Sequence, residues 1–209
     1  MLDVTVRYRV KSSGDTTMSW ERRSLSSGIA CLWLDTPSDR PDPHHWTVLE
    51  RTTAIIPVTH RSVVRHIELR GHSQSPTHGG GSNRPAGLIR LSYASLRKPY
   101  NREYNVTLLH EFGHHVDWRY DVVRYVRGQG ANGRALLNTG HSGDTPGPGE
   151  RIADCYMIYL LQVIAGCRYN HRADPAAYRS AAARMRFDLL LQSRAFAGFA
   201  GFRDWQSST

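Results

Sequence analysis

The sequence is poor in cysteine: Cys31, Cys155 and Cys167 are the only three in 209 residues. Their number is odd and their spacing is not that of a metal finger. Both facts argue against a disulfide scaffold and favour a reducing compartment such as the cytoplasm. Long apolar runs are missing as well. The longest, over 156–165, is broken by Gln162 and falls short of the roughly 18 residues that cross a bilayer. The first residues alternate in polarity and lack the apolar stretch of a secretory leader. No signal peptide is therefore expected, and action in another cell would need a signal-peptide-independent route. There is no internal repeat and no low-complexity tract beyond Gly79-Gly80-Gly81. Nor is there a tight Lys/Arg run or an RNA-binding signature with interleaved aromatics.

What remains is ordinary globular composition, with 40% apolar and 22% charged residues and a mean hydropathy of −0.49. A chain of this length suits one domain and can bury a core without metal or disulfide staples. Lys and Arg number 27 against 18 Asp and Glu, a net charge of +9. Arginine supplies most of it and is spread along the whole chain. Such a surface is either simply soluble or prefers an acidic partner: nucleic acid, an acidic protein or an anionic membrane.

Hydrophobic periodicity divides the chain into strands first and helices after. Leu2, Val4, Val6, Tyr8 and Val10 alternate with polar residues, the period-two pattern of a half-buried strand. The stretches 46–58 and 62–69 are rich in Val, Ile and Thr and are expected as strands. The segment 36–45 reads as loop, as does 71–86 with its glycine triplet, and 87–93 reads as a short strand. Asn105 is a suitable N-cap for a helix over 106–127. A glycine-rich stretch (128–133) and a loop (139–149) follow, then a helix over 150–165 that is apolar nearly all round and hence buried. Asp174-Pro175 opens a last helix to about 196. The expectation is an α+β fold in a single domain, 1–209, with a β-rich part (1–70) and a part (87–209) that runs from an edge strand into helices.

Within the predicted 106–127 helix lies His110-Glu111-Phe112-Gly113-His114, an HExxH sequence. Residues four apart share a helix face, so both imidazoles can reach one metal ion. Glu111 sits one step round, where its carboxylate can hold an attacking water. With eleven histidines and six glutamates in the chain, the motif is expected by chance only about 0.02 times. A hydrolytic zinc site keeps one position open, so one further protein ligand is needed. The metzincin continuation fails, because the positions where it needs glycine and a third histidine hold Asp117 and Tyr120. An acid on a second helix is the other route. Glu150-Arg-Ile-Ala-Asp154 places two carboxylates on one face. One can ligate zinc and the other can orient a ligand imidazole through its far nitrogen. Asp117, three residues after His114, can support that ring or form a helix-surface ion pair. His115 points off the metal face, and Tyr156, Tyr159 and Cys155 read as core. His72 and His78 flank the glycine loop as a weak candidate for a second metal site.

The two segments HEFGHHVD (110–117) and ERIADCY (150–156) together resemble the gluzincin metallopeptidases. They are most similar to the anthrax lethal factor-like catalytic domains and related bacterial proline-directed endopeptidases. A similar Glu-x-x-Ala-Asp helix occurs in the small metallopeptidases that cleave phage repressors. The resemblance spans 87–161 and implies a zincin-like fold with one zinc ion. It implies His110, His114 and Glu150 as ligands, Glu111 as base and Asp154 as the acid behind a ligand histidine. Lethal-factor-like enzymes carry an oxyanion-stabilising tyrosine seven residues before the third ligand. Here that position is Gly143, and His141 in the same loop is the nearest replacement. The strand at 88–92 falls where zincins keep the edge strand that pairs with extended substrate.

The function expected is a zinc-dependent endopeptidase acting on a protein or peptide, as a cellular enzyme or as a toxin or effector. Its rivals are a basic nucleic-acid-associated protein with a structural zinc site, a protease acting on DNA-bound protein, and a hydrolase of a non-peptide amide.

Overall fold

The computed structural model describes residues 4–6, 20–34, 40–71, 80–97, 103–128, 130–137 and 147–167. The chain divides into two compact units, 1–111 and 112–209. The division falls inside a single continuous helix. The architecture is α+β with a mixed sheet, as the strand-then-helix order suggests.

The first unit contains a six-stranded sheet. Its strands are β1 (Val4–Val6), β2 (Trp20–Ser24), β3 (Ala30–Leu34), β4 (His66–Arg70), β5 (Gly80–Asn83) and β6 (Leu88–Ser92), in spatial order β1-β2-β3-β4-β6-β5. The central pairs β3/β4 and β4/β6 are parallel, and the outer pairs are antiparallel. Strands β2 and β3 form a hairpin closed by Gly28, whose φ of +84° suits a residue without Cβ. The register places Cys31, Trp33, Ile67, Leu69, Ile89 and Leu91 on one face, and all six are buried. On this side Trp33 meets Trp46 edge-on at 5.1 Å, and the Arg23 guanidinium lies 4.5 Å from the Trp46 ring.

Trp46 belongs to α1 (Pro43–Ala54), so the strand expected over 46–58 is a helix. The reason is local. Asp42 caps the helix, its carboxylate accepting the His45 N–H at 2.9 Å, while His45 Nδ1 accepts the Asp42 N–H at 3.2 Å. Pro43 takes the first turn. The buried residues His45, Val48, Leu49, Thr52 and Thr53 follow helical spacing. Two of them are threonines, whose hydroxyls donate to carbonyls one turn back, at 2.6 and 2.9 Å. Burial of polar residues therefore hid a helical stripe that hydrophobicity alone does not reveal. A short α2 (Val58–Arg61) follows, and β4 starts only at His66.

A second correction concerns the sheet edge. The glycine segment expected as loop holds β5, which pairs outside β6. The edge strand is thus β5, and β6 is internal. A Cβ on Gly80 would lie 2.5 Å from Thr107 Cγ2 and 3.3 Å from Leu91 Cδ2, so only glycine lets this strand lie so close.

After α3 (Tyr93–Leu96), Asn105 starts α4 (Val106–Tyr120). Its Oδ1 accepts the Leu108 N–H at 2.7 Å, the N-cap bond expected. Its Nδ2 donates to the Ser95 carbonyl at 3.0 Å, and its own N–H donates to Thr52 Oγ1 at 2.9 Å. One buried asparagine thus ties the start of α4 to α1 and α3.

The second unit begins at Phe112, within α4. The helix expected to run to 127 breaks at Asp121, whose φ is +55°, and resumes as α5 (Val122–Arg127). The glycine-rich stretch is helical from Gly130, in α6 (Gly130–Leu137). Pro148 opens α7 (Pro148–Tyr159), which continues into a π-helical turn (Leu160–Ile164). Every residue from 151 to 161 is buried, as a sequence apolar nearly all round leads one to expect, and the burial takes in the charged Arg151 and Asp154. The helix expected over 174–196 lies outside the described residues, as do His72, His78, His141, Gly143 and His171. Among the described residues no helix is long and apolar enough to cross a membrane.

Candidate metal centre

The centre is built on α4 and the first turn of α7. Helical spacing brings His110 and His114 to one face, and α7 presents Glu150 to them. One ligand atom from each of the three lies within 4.8 Å of the other two, and the group can hold a metal ion. His114 Nε2 and Glu150 Oε1 are 3.3 Å apart. Two atoms bound at about 2.0–2.2 Å to one tetrahedral zinc would be roughly 3.4 Å apart, so this pair already stands at coordination spacing. Two imidazoles and a carboxylate also match zinc chemically.

The approach of the two helices has a sequence cause. Gly113, inside the HExxH motif, faces Ala153. A Cβ on Gly113 would lie 2.6 Å from Ala153 Cα and 2.9 Å from its carbonyl oxygen. Gly113 and Ala153 therefore set how closely α7 can bring Glu150 to His114. The glycine could have been read from the sequence as a close-approach signal, because a glycine within a helix costs stability unless packing requires it.

Burial grades the site. His114 is 8% exposed and Glu111 9%, whereas the Glu150 side chain is 45% exposed. His110, also on α4, is half-buried, so the group runs from the buried His114 to solvent at His110 and Glu150. Asp154 is buried one turn beyond Glu150. Asp117 is also buried, which sets aside the helix-surface reading of this residue. Its Oδ1 accepts the Val123 N–H at 2.8 Å, at the break after α4. His115 is fully buried, as are Tyr156 and Cys155. Burial and the neighbouring Asp154 charge push the Cys155 thiol up, against the pull of Arg151. A thiol held protonated in this way is no nucleophile. Burial, with Tyr120 nearby, likewise raises the Tyr156 hydroxyl well above its ordinary range. None of the three cysteines forms a disulfide.

The spacing of the HExxH sequence thus points to the two histidines that meet, and the resemblance points to Glu150 rather than Asp154 as the third residue. Neither shows the packing role of Gly113 or the buried setting of Asp117. The proposed oxyanion residue, His141, lies outside the described residues. No protein-family model, curated protein or solved structure matches this chain.

Proposed function

We propose that the chain is a zinc-dependent endopeptidase of the gluzincin type with a zincin-like fold. The observation that carries this reading is the convergence of His110, His114 and Glu150 from two helices, with Glu111 beside them on α4. Three donors with an open side suit a hydrolytic centre, whereas a structural zinc site closes with four protein ligands. Zinc held there would supply Lewis acidity toward a carbonyl and ease deprotonation of water. Glu111, largely shielded from solvent, takes the proton of the attacking water and returns it to the leaving amine. Asp154, buried one turn after Glu150, takes the role the resemblance gives it, the acid behind a ligand histidine. Strand β5 is the edge available for an extended substrate. Gly80 of that strand abuts Thr107, one turn before Glu111.

The test is metal and activity together. The purified protein is expected to hold about one zinc per chain. It should also cleave proteome-derived peptides in a chelator-sensitive manner, and Glu111→Gln should keep the metal while losing at least about 100-fold in rate. Absence of zinc combined with failure to take it up would sink the reading. Zinc uptake with hydrolysis only of non-peptide amides would move it to another hydrolase class.

A further inference from the structure

The two nitrogens of His114 face different groups. Nε2 points to Glu150 Oε1 at 3.3 Å and is therefore the nitrogen on the metal side. Nδ1 lies toward Gly149 in the first turn of α7. A Cβ built on Gly149 would be 3.9 Å from His114 Nδ1 and 3.6 Å from Asp117 Oδ2. Both atoms thus approach one small region from α4, where Asp117 stands one helical turn after His114. Asp117 is 8% exposed, and its other oxygen is already engaged by the Val123 N–H at 2.8 Å.

We infer that Asp117 is a positioning residue for the metal ligand His114: Oδ2 accepts the Nδ1–H, while Oδ1 fixes the carboxylate to the start of α5. A ligand imidazole whose far nitrogen donates to a carboxylate is held in one tautomer with its other lone pair free for metal. The anchor at Val123 gives the carboxylate a fixed direction. The left-handed Asp121 at φ +55° turns the chain so that the Val123 N–H reaches back to α4. Helix α4 therefore carries its own ring support, a task the resemblance assigns to Asp154 on α7. The role in zinc binding rests on the metal-centre reading above; the tautomer does not.

The test has one arm without metal and one with it. In the metal-free Glu150→Ala protein, which lacks the carboxylate that otherwise competes for a proton on Nε2, imidazole nitrogen spectra at about pH 8 report which nitrogen of a neutral ring carries the proton. His114, recognised by the loss of its signals in His114→Gln, is expected to carry it on Nδ1. In Asp117→Asn the amide oxygen can still accept from Val123, but the amine that replaces Oδ2 cannot accept from His114. The proton is then expected on Nε2. Zinc affinity measured by chelator competition should fall about 10–100-fold, with the metal-free protein still folded. A His114 protonated on Nε2 in Glu150→Ala overturns the inference. So does an Asp117→Asn protein that binds zinc within twofold of the parent. A parent that takes no zinc sinks the metallopeptidase reading instead, and the tautomer alone then decides the role of Asp117.

Discussion

Two carboxylates, Glu68 and Glu150, each lie beside basic side chains, and their settings differ in a way that separates structure from chemistry. Glu68, on β4, is 7% exposed. Both of its oxygens are taken: Oε1 accepts from Arg70 at 2.6 Å and Oε2 from Arg90 on β6 at 3.1 Å. The cluster is closed, because guanidinium groups are permanent cations that satisfy a carboxylate and cannot ligate a metal. Glu150 has a side chain 45% exposed and faces an imidazole. An imidazole can give up its proton and offer a lone pair, so a metal ion can take the proton's place. The first cluster holds strands in register; the second is built of groups that a cation completes.

The largest effect expected would break this contrast or sharpen it. Glu150→Ala should lower zinc affinity more than about 100-fold, beyond the range of supporting residues. It should leave the metal-free melting point nearly unchanged, as surface substitutions do. Glu68→Gln should do the reverse, costing about 1–2 kcal/mol of stability by weakening charge-assisted bonds with zinc affinity intact. Calorimetric melting and chelator competition on both variants decide the matter. A loss of zinc in Glu68→Gln would dissolve the distinction.

Next in size is Gly113→Ala. An alanine in a helix interior ordinarily gains up to about 1 kcal/mol over glycine. Here the added methyl would meet Ala153 Cα at 2.6 Å, and backbone cannot move aside as a side chain can. Overpacking of this kind typically costs about 1–3 kcal/mol. A net loss of stability is expected, with weaker zinc binding as α7 is pushed away from His114. A stabilised variant with normal zinc affinity would mean that the two helices are not held by this contact.

The same contrast explains what could be read from sequence. The two histidines were legible because their spacing is a rule of one helix turn, independent of tertiary surroundings; the spacing left Glu150 and Asp154 on the second helix as alternatives, between which the resemblance chooses Glu150. Asn105 was legible because a cap acts within three residues. Helix α1 was not, since its buried stripe includes His45, Thr52 and Thr53, which hydrophobic periodicity counts as polar. Strands β2 and β3 carry Arg22 and Arg23 beside Trp20, and Cys31 beside Trp33, and neither gives the clean alternation that marks a strand. Strand β5 is Gly80-Gly81-Ser82-Asn83, loop chemistry by composition, and becomes a strand because β6 offers it a partner and Thr107 leaves no room for a Cβ. Asp117 was ambiguous because its burial comes from the turn at Asp121, which nothing in the local sequence announces.

The smallest expected effect compares two helix caps. Asn105 is 1% exposed and makes five hydrogen bonds across three helices, and it does not titrate. Asp42 is exposed and serves α1 alone. Partial burial would raise its carboxyl, but the N–H groups of His45 and His44 and the nearby imidazoles outweigh this and hold it below the ordinary aspartate range. A carboxyl depressed in the folded state adds stability that is complete above the unfolded value of about 3.9 and is lost as pH falls through the folded value. Asp42→Ala should therefore cost about 1 kcal/mol near neutrality. The difference from the parent should shrink as the solution is acidified below about pH 4, where the parent's own cap is being protonated. Asp42→Asn keeps an acceptor for the His45 N–H and should lie close to the parent at neutral pH while losing that acid dependence. Denaturant midpoints for the three proteins, taken at neutral pH and at about pH 3, measure both. A gap between parent and Asp42→Ala that widens in acid would show that the capping carboxyl is raised rather than lowered, and that α1 is held mainly by its buried stripe.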